Sequence, residues 1–169
     1  MASWMNILVL CTGNSARSII AEALFNNLGK GQVTAFSAGS SPTGMPNPFA
    51  LQVLAENGLK ITDARSKSWH EFSRADAPEM DIVITVCTNA AGETCPIWPG
   101  HPATAHWGVA DPASATGSDE TKIAAFAQCY DQMKERIDAF FDDGLTRENA
   151  IMRARQIEKR FPDNSLIAG

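Results

Sequence analysis

No stretch of this 169-residue sequence approaches the ~18 consecutive apolar residues needed to cross a bilayer, and no signal-peptide h-region follows Met1. The expectation is a cytosolic protein with no membrane partner. Basic residues are not in excess: 14 Lys and Arg face 19 Asp and Glu, giving a net charge of −5 and a pI near 5.1. That balance argues against nucleic acid as a partner, so any attraction for an anion must be local. Cysteine is scarce, at four residues. In a reducing compartment, four cysteines point to catalysis, metal binding or burial rather than to structural disulfides. Tyr130 is the single tyrosine, and no internal repeat or domain linker is visible. With 44% hydrophobic residues, what remains is one globular domain with a proper core.

The chemistry is stated most clearly by Cys11-Thr12-Gly13-Asn14-Ser15-Ala16-Arg17-Ser18. An apolar run, Asn6–Leu10, feeds a polar turn, and an amphipathic helical pattern starts at once. A cysteine and an arginine flank five residues, so both side chains can face a tetrahedral oxyanion held in the turn. Backbone N–H groups of such a turn form a nest, and the helix N-terminus adds positive potential. The same field favours thiolate at Cys11. Arg17 offers a planar fork to two oxyanion oxygens. Ser18 is placed to hydrogen-bond the Cys11 sulfur, and Asn14 tolerates left-handed backbone. The plain alternative is a buried strand-end cysteine beside a solvated arginine.

Along the chain, Met1–Trp4 reads as an unstructured leader. Apolar residues at 19, 20, 23, 24 and 28 predict a helix ended by Gly29 or Gly31. Gln32–Ser37 alternates as a strand, and 38–46 is a breaker-rich loop. Asn47-Pro48 predicts an N-cap with proline at the first helical position, and the helix runs to Gly58. Residues 66–74 form a short helix or loop. Asp81–Val86 is a third strand that delivers Cys87 at its end. From 88 to 117 the chain is loop around a short strand near 104–107. Ser118 caps a long helix with the stripe Ile123, Phe126, Tyr130, Met133, Ile137 and Phe140, stopped by Asp142-Asp143-Gly144. Residues 147–160 form a last helical segment. Strands alternating with helices indicate an α/β sandwich with a parallel sheet. Ligands of such sheets sit outside the carboxyl ends of the strands, where Cys11 and Cys87 both fall.

Cys87 and Cys95 are joined by a small, flexible segment, and two such thiols can meet and relay a disulfide away from Cys11. The alternatives are a buried cysteine plus an incidental loop cysteine, or zinc held by Cys87, Cys95, His101 and His106, whose spacing is looser than short structural knuckles. Asp111-Pro112 suits a general acid for a leaving oxygen, or simply a turn. Cys129 lies on the apolar side of the long helix and reads as a core cysteine. The basic segment 147–160 reads as a helix packed by Ile151, Ala154, Ile157 and Phe161.

Taken together, Cys11–Ser18, Phe36-Ser37-Ala38-Gly39, Thr85-Val86-Cys87, Cys95-Pro96 and His106-Trp107-Gly108 followed by Asp111-Pro112 resemble arsenate reductases on the low-molecular-weight tyrosine phosphatase fold. The likeness spans about residues 5–143, leaving 144–169 as a C-terminal helical extension with no assigned function. It implies a three-layer sandwich with a four-stranded parallel sheet flanked by helices. It also implies arsenate as substrate, bound by Thr12, Gly13, Asn14, Ser15, Ala16, Arg17 and Ser18. Cys11 would be the nucleophile, Arg17 the oxyanion clamp, Asp111 the general acid, and Cys87 and Cys95 successive resolving thiols. A thioredoxin- or glutaredoxin-type reductant would restore the enzyme, with no cofactor and no metal.

Two departures bear on this. The Cys87–Cys95 segment is one residue longer than in some members. Where some relatives carry an acidic residue that completes a potassium site with residues matching Asn14, Glu22 and Ser37, this chain has Lys67. Its ammonium is expected to pair with Glu22 and take the ion's place. The rival reading is a tyrosine phosphatase using the same loop. Against it, neither 40–46 nor 113–117 holds an aromatic residue to line an entrance for an aryl substrate.

Overall fold

The computed structural model describes residues 4–59, 63–87 and 98–165. Four parallel strands, β1 (Met5–Cys11), β2 (Val33–Gly39), β3 (Ile82–Thr85) and β4 (Ala103–His106), form one sheet in the order β2-β1-β3-β4. β1 lies in the middle, with Leu10 opposite Ala38 on one side and Thr85 on the other. Its continuous apolar run follows from that position, since both faces of an interior strand are covered. Successive side chains alternate between the faces. Ile7 and Val9 join the larger core with helix residues, while Leu8 and Leu10 pack with Trp69, Phe72, Met80, Val83 and Trp98 on the opposite face.

The larger core is covered by α1 (Arg17–Leu28), α2 (Pro48–Glu56), α3 (Asp119–Phe140) and α4 (Ala150–Arg160). Their ends follow local chemistry. Asn47 accepts the N–H of Phe49 ahead of Pro48, and Ser118 accepts that of Thr121, each satisfying a donor that the first turn leaves open. α1 stops at Gly29, where a Cβ would collide with the Phe141 ring and the Phe25 carbonyl. Phe25 stacks on Trp107 and meets Phe140 edge-on, tying α1 to α3 and to the segment after β4. α4 contributes Ala150, Ala154 and Ile157 to the same core, and the Trp107 indole N–H donates to the Ala154 carbonyl at 2.9 Å. No helix among the described residues is long and apolar enough to cross a membrane.

Sequence expectation and fold agree on the elements. The stretch at 66–74 is a 3₁₀ turn, Trp69–Phe72, capped by Ser68. β3 closes one residue early, at Thr85, yet its ladder runs on through Val86 N–H to the Leu10 carbonyl at 3.0 Å. The chain leaves β1 to one side for β2 and returns on the other side for β3. The gap between β1 and β3 is therefore the switch point where α/β sheets hold ligands.

Candidate active site

The turn at 12–16 is held from outside through its carbonyls. Thr12, Gly13 and Ser15 accept backbone N–H groups of Ser41, Thr43 and Asn47 at 2.8–3.0 Å, and Ser66 Oγ donates to Gly13 O at 3.1 Å. In a trans peptide the N–H points opposite to the carbonyl. Those three bonds therefore turn the N–H groups of Gly13, Asn14 and Ala16 toward the inside of the turn, as an anion nest requires. Asn14 sits at φ 45° and is fully buried. Its amide donates to Ser18 Oγ at 2.8 Å and Ser37 Oγ at 3.0 Å, and its oxygen accepts Lys67 N–H at 2.9 Å. These bonds fix the one left-handed residue of the turn. Gly39 backs the turn from β2: a Cβ there would collide with the Thr12 carbonyl.

Cys11 ends β1 and is buried. Cys87, one strand over, is buried too, and its thiol is close enough to influence the titration of Cys11. Thr12 Oγ1 lies 3.6 Å from Cys87 Sγ. The neighbouring Cys87 thiol and burial hold the Cys11 thiol well above its usual pKa, against the opposing pull of Arg17 and the Thr12 N–H. The sequence suggested a thiolate, because loop and arginine are visible there and the neighbouring thiol is not. Two neighbouring thiols titrate as a pair, the second ionisation being opposed by the first. Ser18, expected beside the Cys11 sulfur, has its oxygen engaged by Asn14.

Arg17 is buried. Nη1 donates to Val109 O at 3.0 Å and Nη2 lies 3.7 Å from Asp111 Oδ2, while Nε is buried without a hydrogen-bond partner among the described residues. Asp111 follows β4 and caps a 3₁₀ turn (Pro112–Ser114) by accepting Ala113 N–H at 3.0 Å. It therefore makes the turn its sequence suggests while facing Arg17. Val109, whose carbonyl aims Arg17, has no sequence signature. Its own N–H is held by Val86 O at 3.1 Å, so β3 sets that aim. Cys95 lies outside the described residues. Cys129, on α3, is fully buried, and burial pushes its thiol up to about 12. His106, a candidate zinc ligand, has both ring nitrogens in hydrogen bonds, to Thr85 Oγ1 at 2.7 Å and to Asp163 Oδ2 at 2.6 Å. Among the described residues no three His, Cys, Asp or Glu cluster as metal ligands would.

Lys67 is buried beneath the turn. Nζ donates to Ser37 Oγ at 3.3 Å and to Arg65 O at 3.0 Å, and lies 4.0 Å from Glu22 Oε1. Ser37 Oγ in turn donates to Glu22 Oε2 at 3.0 Å. Burial pushes the Glu22 pKa up and that of Lys67 down, each partly offset by the other's charge.

The profile of the low molecular weight phosphotyrosine protein phosphatase family matches residues 6–155. Among curated proteins, arsenate reductases of Halalkalibacterium halodurans and Bacillus licheniformis are 36% and 38% identical to this chain over 138 residues. In each case the match covers 82% of this chain and 96% of the relative. An arsenate reductase solved in the phosphate-binding state superposes with a TM-score of 0.64 at 26% identity, covering 89% of this chain and 98% of its own. A low molecular weight protein tyrosine phosphatase from T. tengcongensis gives 0.64 at 26% identity, covering 79% and 95%. The thioredoxin-dependent arsenate reductase of Corynebacterium glutamicum gives 0.54 at 25% identity, covering 81% and 63%. By the loop, the sheet order and these matches, the chain belongs to the low molecular weight phosphotyrosine protein phosphatase family.

Proposed function

We propose that the protein reduces arsenate to arsenite through a covalent Cys11 adduct and a disulfide relay. The observation that carries this reading is the placement of a second buried thiol at the turn: Cys87 follows the strand paired with β1, and its sulfur lies 3.6 Å from Oγ1 of Thr12, the residue next to Cys11. A phosphatase needs one thiol at this point and a water to resolve it. A reductase needs a second thiol within reach of the first.

Arsenate binds the inward N–H groups of the turn and the Arg17 fork. Cys11 keeps its proton in the unliganded turn, and the bound dianion is the base at hand to take it. The Cys11 thiolate then attacks arsenic, forming S–As. An As–O bond breaks, and the oxygen leaves as water with a proton from Asp111. Cys87 attacks Cys11 Sγ, forming S–S. The As–S electron pair stays on arsenic, which departs as arsenite: arsenic gains two electrons and the two thiols lose them. Cys95 then attacks Cys87, frees Cys11 and carries the disulfide outward to a thioredoxin- or glutaredoxin-type dithiol.

The test is arsenite production and aryl phosphate hydrolysis, each measured with and without thioredoxin and its reductase. The expected result is thioredoxin-dependent arsenite formation, lost in Cys11→Ser and stalled in Cys95→Ser with Cys11 and Cys87 joined. Fast aryl phosphate hydrolysis indifferent to Cys87→Ser, with no arsenite formed, would make the protein a phosphatase instead. Multiple turnover by Cys95→Ser with thioredoxin would overturn the three-cysteine relay.

A further inference from the structure

The segment after α4 returns to the active-site edge of the sheet. Asn164 Oδ1 accepts the N–H of Ala110, the residue before Asp111, at 2.7 Å, and Asn164 N–H reaches the Gly108 carbonyl at 3.4 Å. Asp163 accepts from His106, and Glu158 accepts the His106 backbone N–H, both at 2.6 Å. Asp163 also lies so close over Gly108 that any side chain there would displace it. Phe161 stacks on the buried Arg136 guanidinium, 5.2 Å from the ring centroid, and Arg136 Nη2 approaches Gly108 O at 3.4 Å. From inside, residues 107–109 are held by Thr85 O, Val86 O and Arg17. From outside, their continuation toward Asp111 is held by 158–165.

We propose that residues 158–165 form a clamp that positions Asp111, with Asn164 as its central positioning residue. The inference rests on the reading of Asp111 as general acid. The Asp111 carboxyl is partly open to solvent, 3.7 Å from Arg17, and its own hydrogen bond goes to Ala113 within the same 3₁₀ turn, so its position depends on where the chain entering that turn is held. The backbone leading into it is fixed by Asn164. The family profile ends at residue 155, so the clamp is built from sequence outside the shared part of the chain. Its effect belongs to the chemical step more than to substrate binding, because the turn that supplies the inward N–H groups is held by 41–47 and does not depend on it.

The test is a single turnover of the full-length reduced protein with arsenate and no external reductant, followed as loss of free thiols at several arsenate concentrations. Asn164→Ala is expected to lower the limiting rate about tenfold, a fraction of the ~10²–10⁴ that a general acid contributes. The half-saturating arsenate concentration should move less than about threefold. Asn164→Asp, whose carboxylate oxygen can still accept Ala110 N–H, should recover most of the rate. Gly108→Ala, which dislodges Asp163 from the other side of the contact, should reproduce the loss. In an Asp111→Ala background, Asn164→Ala should change the rate less than about twofold, as for residues acting in one unit. A slow Asp111→Ala together with an unimpaired or additive Asn164→Ala would overturn the clamp alone. An Asp111→Ala protein as fast as its parent would overturn the general-acid reading, and the clamp with it.

Discussion

Replacing Cys87 by alanine should make Cys11 more reactive while ending arsenate reduction. In the native protein the neighbouring Cys87 thiol is the largest influence holding the Cys11 thiol above its ordinary value of 9.0, ahead of burial. At pH 7 a pKa above 9 leaves less than about 1% thiolate. Cys87→Ala removes both the neighbouring thiol and the like charge that a Cys87 thiolate would place beside Cys11. Burial then stands alone against Arg17 and the Thr12 N–H. Each tenfold gain in thiolate lowers nucleophilicity by about threefold, so the observed rate rises by about threefold per tenfold gain. The assay is alkylation by iodoacetamide between pH 6 and 10, read by mass spectrometry on the peptide carrying Cys11. The expected profile for Cys87→Ala is displaced to lower pH, with faster modification at pH 7. Incubated with arsenate and no reductant, wild type should fall from four titratable thiols in the denatured chain to two, whereas Cys87→Ala should keep its remaining three. An unchanged or alkaline-displaced Cys11 profile would refute the pairing, and thiol loss with arsenite release in Cys87→Ala would refute the relay.

Gly39→Ala places a methyl group against the Thr12 carbonyl. It should cost about 1–3 kcal/mol of stability, as overpacking does, read as a lower denaturant midpoint together with weaker oxyanion binding. At constant ionic strength, arsenate reduction should proceed equally in potassium and sodium chloride, because Lys67 Nζ already sits against Ser37 and Glu22. Stimulation specific to potassium would contradict that. Asp163 is held below the usual carboxylate range by its bonds from Ser165 and His106, which outweigh burial. A depressed folded-state pKa gives stability that is full above the unfolded value of about 4 and fades as pH falls below it. The stability gap between wild type and Asp163→Asn should therefore narrow as pH falls from about 5 to below 4 in urea titrations; a gap that widens over that range would reverse the assignment.

What could be read in advance was what neighbours in sequence decide. The apolar run of β1, the proline behind Asn47, the cap at Ser118 and the turn from Cys11 to Ser18 each carry their chemistry within a few residues. The edge shared by Cys11 and Cys87 was also legible, because both follow strands of a parallel sheet. Their closeness was not, since it depends on β3 lying next to β1 rather than elsewhere in the sheet, and the raised Cys11 pKa follows from it. Ser18 shows the same limit on a smaller scale: its engagement by Asn14 arises from a left-handed backbone whose side-chain direction sequence leaves open. Most remote was Asn164, which meets Ala110 across 54 positions, a contact that only the return of the chain over β4 creates.

The outward-facing carbonyls of the turn have a consequence for how such a site can diversify. Because Thr12, Gly13 and Ser15 bond to the backbone of Ser41, Thr43 and Asn47, the segment that rims the entrance is in register with the anion nest, almost as a paired strand would be. Some side chains there are little held, Met45 at 75% exposure above all. The segment's length is not free. Inserting one residue between 41 and 47 would break the pairing and release the carbonyls that turn the N–H groups inward. Selectivity for what enters can therefore be retuned at the rim by substitution, whereas insertions and deletions must be accommodated elsewhere in the chain.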